Sequence, residues 1–506
     1  MIGGHKYLFL ALVWSLSLRA LAQQPHLNTV SIDWSKPVAT SKIELTLQFC
    51  PYPQMRGGNP LHDKVFKAMR DLNANYDRFQ PWFEYPRMYV AELDPPSNGK
   101  THWDFTLMDQ VMDDFIKASN GKPVVMNIGA VPAWMYKTKT PVSYPKDPDQ
   151  IDRNYAAKGE LTDETIELYA EYQARIVGWY LNGGFKDEYG AWHKSNHHYT
   201  NVAYWEVLNE PDMEHYVTPE NYVRFYDATV EAVRKVAPTM KFGGTSVADT
   251  AMRPDYTEYF LNPANHKPGI PIDLLAYHLY SSAELDETPQ VRQFTFFQQA
   301  DRLVSVAAYV ETLRKRYAPK AFNDAEETGA FVSAYDGTRV LEPITNFHWR
   351  LSAATLAYFF ANMAALGGVD ALGVSELLDY PTQTPGLSLL DWDTGEPNLR
   401  YRVLQLLREN FPPGVRVFKV KISDNNDAIF LAPNYFAQGF MTADGVRKIL
   451  LVNKREKSTS VVVPGGSAGE VEVVDQSTPN GTAKRPMKLD SLTLDGFAVS
   501  VVTLPK

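Results

Sequence analysis

Near the middle of the chain, Val202-Ala203-Tyr204-Trp205-Glu206-Val207-Leu208-Asn209-Glu210-Pro211 joins a β-rich stretch to an amide, a carboxylic acid and a proline. Proline has no N–H to give to a strand ladder, so it ends the pairing and leaves Asn209 and Glu210 at the strand's C-terminal end. A second acidic run, Ala321-Phe322-Asn323-Asp324-Ala325-Glu326-Glu327-Thr328-Gly329, has the pattern of a strand followed by a turn of small residues. Alternation along a strand sends Glu326 and Glu327 to opposite faces, so only one can share a site with Glu210. Glu327 is the preferred partner and Glu326 the alternative. Two carboxyl groups from separate strand ends, one protonated and one ionised near neutral pH, are what cleavage of a glycosidic bond requires. Their separation is about 5–5.5 Å where configuration is retained and about 6.5–9.5 Å where it is inverted. Asn209 is placed to donate to a sugar 2-hydroxyl, a hydrogen bond that strengthens as an oxocarbenium-like transition state forms.

Such residues need a scaffold that brings strand ends together. Short β-rich runs alternate with helical patterns from about Ile43 to Pro397: Ile43–Phe49, Tyr76–Phe79, Val124–Ile128, Val202–Val207, Lys241–Gly244, Leu274–Tyr280, Ala321–Glu326 and Ala371–Ser375. Eight successive βα units predict a (β/α)8 TIM barrel of the α/β class, whose active sites lie at the C-terminal ends of the strands. Helix signals support the pattern. Thr218-Pro219-Glu220 reads as an N-cap, a first-turn proline and a first-turn acid, and Thr162 can cap a helix carrying Ile166, Tyr169, Ala170 and Val177 on one face. After Phe411-Pro412-Pro413-Gly414 the pattern changes to short β-branched runs, Arg416–Ile422, Ala428–Ala432, Lys448–Val452, Ser460–Val463, Glu470–Val474 and Ala498–Leu504, which predict an accessory β-sandwich. The expected division is a signal peptide over 1–22, an N-terminal segment over 23–40 that adds a strand to the sandwich, a barrel over 41–410 and the sandwich over 411–506.

The order of Asn-Glu-Pro on the fourth strand and Glu on the seventh resembles clan A of the glycoside hydrolases. Trp205 to Asp212, and Ile-Asp-Leu-Leu-Ala-Tyr-His-Leu-Tyr ending at Tyr280, are most similar to family 39, which holds β-xylosidases and α-L-iduronidases. The resemblance implies a retaining double displacement. Glu210 would be the general acid/base, its pKa raised by nearby negative charge, and Glu327 the nucleophile. It further implies that Arg78, ending the second strand, hydrogen-bonds the nucleophile and keeps it ionised, and that His278 and Tyr280, on one face of the sixth, contact the sugar and the nucleophile. Trp134, after Val131-Pro132-Ala133, is a candidate stacking wall, with Trp82 and Trp392 weaker candidates on loops. At the eighth strand the family often offers an aromatic platform; here Ser375-Glu376-Leu377-Leu378 stands in its place. By resemblance the first-choice substrate is an oligosaccharide or polysaccharide pentoside of the plant cell wall, such as β-xylose or an arabinose-containing side chain.

The wider composition fits this picture. A net charge of −9 disfavours nucleic-acid binding, which needs a basic stripe. Aromatic residues make up 12% of the chain and offer flat faces to sugar C–H groups. His5 and Lys6, an apolar run from Tyr7 to about Leu18, and Ala20-Leu21-Ala22 read as a cleavable export signal, too short to span a membrane, predicting a secreted or periplasmic protein. The single cysteine, Cys50, excludes an intrachain disulfide and reads as a buried apolar residue. His197-His198 are adjacent and no HExxH spacing occurs, so neither a metal nor a cofactor is expected. A transglycosylase would use the same carboxylates, and product analysis with an added acceptor distinguishes it. An endo-acting glycanase would differ in its loops, and the inserts at about 136–162 and 182–201 are expected on the active rim. A non-catalytic carbohydrate-binding protein would lack activity on aryl glycosides.

Overall fold

The computed structural model describes residues 28–81, 85–137, 143–152, 161–284, 286–333, 345–379, 386–423 and 434–505. The expected signal peptide, Trp82 and the expected strand at 428–432 lie outside them. Eight parallel strands close into a barrel: Glu44–Phe49, Tyr76–Phe79, Val124–Asn127, Val202–Glu206, Lys241–Val247, Leu274–Glu284, Phe322–Ser333 and Ala371–Val374. They are numbered one to eight below. Thr218 caps the helix Pro219–Val236 by accepting from the Asn221 N–H at 3.3 Å. Asp163–Thr165 form a single 3-10 turn leading into the helix Ile166–Asn182. No described helix is long and apolar enough to cross a membrane.

The barrel interior is built in layers. Val125, Tyr204, Leu274 and Ala276, with Tyr76 and Phe322 against them, form an apolar cluster separate from the main core. Side chains two residues further along a strand point the same way. Above Tyr76, Tyr204 and Phe322 therefore stand Arg78, Glu206 and Asp324, and the interior turns from apolar to charged within one layer.

Strand seven departs from the expected geometry in two respects. It runs on to Ser333, with Gly329 opposite Tyr280, instead of turning at Thr328-Gly329. It also carries a β-bulge. Asp324 pairs with Ala276 and Glu327 with His278, so three steps on strand seven match two on strand six. The extra residue breaks the alternation, and Glu326 and Glu327 both face the barrel interior. The expectation that only one could do so was wrong for that reason. Gly373 on strand eight makes room for the displaced backbone, since a Cβ there would lie 1.7 Å from the Glu326 carbonyl oxygen.

Beyond the barrel, nine strands form one continuous sheet. Its order is Ala483–Pro486, Glu470–Val474, Val499–Thr503, Arg447–Asn453, Tyr435–Met441, Arg416–Ser423, Asn28–Thr40, Thr459–Val462 and Ser491–Leu494. Asn28–Thr40 pairs antiparallel with Arg416–Ser423 and parallel with Thr459–Val462, which draws the segment preceding the barrel into this sheet. Alternation divides its faces. Ile449 and Leu451 join Val30, Val461, Val471 and Leu494 in a core of the sheet's own, whereas Leu450, Val452, Val499 and Val501 join the main core. There Phe440 meets Phe411 at 4.2 Å between ring centroids and Tyr358 meets Phe436 at 4.9 Å, so the sheet is fastened to the barrel's last two helices.

The insert at 182–201 does not reach the active rim. It follows a helix and precedes strand four, and its short hairpin, Gly184–Lys186 with Trp192–Lys194, lies along the outside of Ile166–Asn182, where Arg175 bonds the Lys186 carbonyl at 3.3 Å and Glu188 at 2.9 Å.

Replacing Gly373 by Ala is expected to destabilise the fold by about 3 kcal/mol or more, the upper range for overfilling a packed site, because backbone and not a flexible side chain blocks the new methyl. Thermal and urea unfolding measure it. An alanine variant as stable as wild type would show that the bulge does not press on strand eight.

Candidate active site

Glu210 leaves strand four in an unusual backbone. Leu208 and Glu210 both have positive φ, at 60° and 38°, a left-handed conformation that costs free energy in residues with a Cβ. Neighbouring contacts hold the turn. The Leu208 N–H donates to the Tyr169 hydroxyl at 3.2 Å, the Leu208 carbonyl accepts from Asn127 at 3.1 Å, and the Glu210 N–H donates to the Ser246 carbonyl at 2.9 Å. Gly129 leaves room for Asn209, since a Cβ there would lie 3.0 Å from the Asn209 Cβ.

Arg78 lies at the centre of the charged layer, buried, with its nitrogens spread over strands four and seven and the turn after strand four. Nε donates to Glu206 at 2.8 Å and is 3.1 Å from Glu326, Nη1 donates to Glu327 at 2.5 Å, and Nη2 donates to the Asn209 side-chain oxygen at 2.9 Å. Glu327 also accepts from Gln48 Nε2 at 2.8 Å and, on its other oxygen, from the Tyr280 hydroxyl at 2.6 Å. His278 joins the two strand ends. Its Nδ1 is 2.8 Å from Glu210 Oε1, and its Nε2 is 3.1 Å from Glu326 Oε1 and 3.3 Å from Glu327 Oε1. One oxygen of Glu210, one of Glu327 and a His278 nitrogen all lie within 4.8 Å of one another.

The protonation of this layer follows from burial set against charge. Burial raises the Glu210 carboxyl, His278 opposes it, and the charges of Glu327 and Asp212 add to the rise. Nearby negative charge thus acts in the expected direction, but burial is the larger cause. Burial would lower His278, yet Glu327, Glu210 and Glu326 outweigh it and hold the ring well above its ordinary range. Burial works against ionisation of Glu326 too, but Arg78 and His278 overcome it and pull the carboxyl down to about 2. Glu206 and Asp324 go the other way, raised by burial and by the Glu326 charge.

The structure brings Arg78, Asn209, Glu210, His278, Tyr280 and Glu327 together. Trp134, in the short helical turn Ala133–Met135, is half-buried, and its indole donates to the Glu92 carbonyl at 3.0 Å. Trp392 packs edge-on against Tyr52 at 5.3 Å. At strand eight, Ser375 bonds Tyr280 at 2.8 Å and also donates to Gln48, while Glu376 is buried beside Asp379, its carboxyl raised by burial and by that neighbour. Sequence reasoning passed over Gln48, Asn127, Glu206 and Ser375. Each is a polar residue in or next to an otherwise apolar strand, the signal that could have revealed them.

The profile of "Glycosyl hydrolases family 39" matches residues 188–348, which include Glu210, His278, Tyr280 and Glu327. Residues 437–502 match "D-apionate lactonase, C-terminal immunoglobulin-like domain". A "Beta-xylosidase" of Caldicellulosiruptor saccharolyticus is 26% identical over 221 residues, 43% of this chain and 39% of the relative, so the match spans about two-fifths of that protein's length. Among solved structures, a GH51 arabinofuranosidase from Xanthomonas axonopodis pv. citri superposes with a TM-score of 0.61 at 12% identity, covering 95% of this chain and 100% of the other. A GH30 endoxylanase from Clostridium papyrosolvens gives 0.54 at 15%, covering 95% and 100%. The chain thus resembles the clan A glycoside hydrolases and is most similar to family 39.

Exchanging Arg78 for Met would strand Glu326 and Glu327 in a dry layer. The expected cost is about 3–5 kcal/mol in urea unfolding at about pH 7, the range for breaking a buried pair. In the wild type, Glu326 at about 2 contributes stability that is intact above the ordinary glutamate range near about 4.3 and lost as the pH falls through about 2. In the variant the stranded carboxyls would instead take up protons, so the deficit should narrow as the pH falls towards about 4. A deficit that does not change with pH would disconnect Arg78 from their ionisation.

Proposed function

We propose that the chain is a retaining glycoside hydrolase of β-xylosidase type, acting by double displacement. The observation that carries this reading is the approach of Glu210 and Glu327 to within 4.8 Å, which fits the short separation of retaining enzymes and falls below that of inverting ones. Glu327 would attack the anomeric carbon as Glu210 gives its proton to the departing oxygen, so the carbon–oxygen bond to the leaving group breaks as the glycosyl ester forms. Water then gives a proton to Glu210 and its oxygen to the anomeric carbon, releasing Glu327. Gln48, Arg78 and Tyr280 fix the nucleophile's two oxygens. Asn209 gives one amide hydrogen to Glu214 at 2.9 Å, leaving the other for a sugar hydroxyl.

A neutral pentoside is the favoured substrate. The Arg78 guanidinium is spread over Glu206, Glu326, Glu327 and Asn209, so it is not free to pair with a sugar carboxylate. The β-xylosidase relative points the same way. The N-terminal pattern supports action outside the cytoplasm, on oligosaccharides or polysaccharides.

A panel of nitrophenyl glycosides is expected to give turnover with xyloside or arabinoside, with proton NMR showing the retained anomer first. Glu327→Gly should lose activity by about a thousandfold or more, and azide should restore it with formation of a glycosyl azide of inverted configuration. Near-normal turnover by that variant without azide would remove Glu327 as nucleophile. An inverted first product from the wild type would rule out the double displacement.

A further inference from the structure

The bulge on strand seven brings a third carboxylate to the site, and the double displacement makes no use of it. Glu326 is buried, and its two oxygens lie 3.1 Å from His278 Nε2 and 3.1 Å from Arg78 Nε. On the opposite side of the ring, Nδ1 is 2.8 Å from Glu210 Oε1. We propose that Glu326 is a positioning residue for proton donation: acting through His278, it determines which oxygen of Glu210 carries the proton. The inference rests on the reading of Glu210 as general acid.

The argument follows from what an imidazole can do between two carboxyl groups. A neutral ring with its hydrogen on Nε2 would present a bare Nδ1 to Glu210 Oε1. The acid proton would then settle between them, turned away from the substrate. A doubly protonated ring donates on both sides instead. Nδ1–H occupies Oε1 in either state of Glu210, and the acid proton is confined to Oε2.

A cationic ring with no side-chain exposure needs counter-charge. The titratable groups around His278 are Glu210 and Asp212 from the strand-four turn and Asp324, Glu326 and Glu327 from strand seven, with Arg78 beyond Glu326. Asp324, Asp212 and Glu206 are all raised by burial, which disfavours their charged forms. Glu327 serves only part of the time, because it is an uncharged ester while the sugar is attached. Glu326 is not esterified in the double displacement, and Arg78 and His278 favour its charged form at each step. It therefore holds the ring protonated both when Glu210 gives up its proton and when it takes one from water.

Leaving groups separate this role from a general loss of structure. Dinitrophenolate departs without a proton, whereas phenolate needs one. With the glycon that wild type cleaves best, Glu326→Gln is expected to lower kcat/KM for the phenyl glycoside by about a hundredfold or more and to leave the dinitrophenyl glycoside within about threefold of wild type. Equal losses on both substrates, or no loss on either, would overturn the proposal. A wild-type enzyme inactive on every glycoside would instead remove the hydrolase reading itself. Should the glutamine variant fail to fold, nitrogen NMR of histidine-labelled wild type decides. Both ring nitrogens of His278 are expected to remain protonated at about pH 7, and a neutral ring there would refute the inference.

Discussion

The guanidinium of Arg78 is the constraint on which the site depends. Three carboxyl groups and an amide oxygen converge on it from strands four and seven and from the turn after strand four. Ion pairs this deeply buried seldom add net stability, since the desolvation of each member offsets most of the attraction. Their value here lies in geometry. A planar fork can satisfy Glu206, Glu326, Glu327 and Asn209 together only if the barrel strands keep one register, so the layer that carries the charge also fixes the positions of the strand ends.

The surroundings make that arrangement affordable. Below the charged layer, Tyr76, Tyr204 and Phe322 pack together, with the Phe322 ring tilted at 5.8 Å from Tyr76 and stacked at 6.0 Å from Tyr204. Outside the barrel, the main core runs without interruption into one face of the nine-stranded sheet. Within the layer, protonation of Glu206 and Asp324 lowers the number of negative charges that Arg78 and His278 must balance. The left-handed turn at Leu208 and Glu210 is held by hydrogen bonds from three separate segments, as expected where local strain is kept to aim a functional side chain.

Much of this could be read from residue types. Periodicity located the eight barrel strands to within a few residues except on strands five to seven, which run on, because the alternation of apolar residues and the positions of breakers are properties of the local chain. Asn-Glu-Pro was legible for the same reason: a proline after a strand marks a rim. The bulge was not. Ala325-Glu326-Glu327 carries no glycine or proline to mark an inserted residue, and the space for it is supplied by Gly373, almost fifty positions away and on another strand. Strict alternation therefore turned Glu326 away from the site and hid a third carboxylate. The hairpin at 184–194 was misplaced through a different confusion. Length marks an insert, but whether it follows a strand or a helix decides which end of the barrel it occupies.

The causes of the Glu210 shift are of two kinds, and the difference bears on the proposed cycle. Burial is fixed by the fold and acts at every step. The Glu327 charge is present only while that carboxylate is free, because the glycosyl ester carries none. Once the sugar is attached, the part of the rise due to Glu327 disappears while the opposing hydrogen bond from His278 remains. Glu210 then becomes the stronger acid and so releases its proton more readily at the stage when it must act as a base. Had burial been the sole cause, the carboxyl would be held protonated through both half-reactions. The nucleophile's own charge supplies the alternation, and the imidazole pinned between Glu210 and Glu326 keeps the geometry constant while the proton comes and goes.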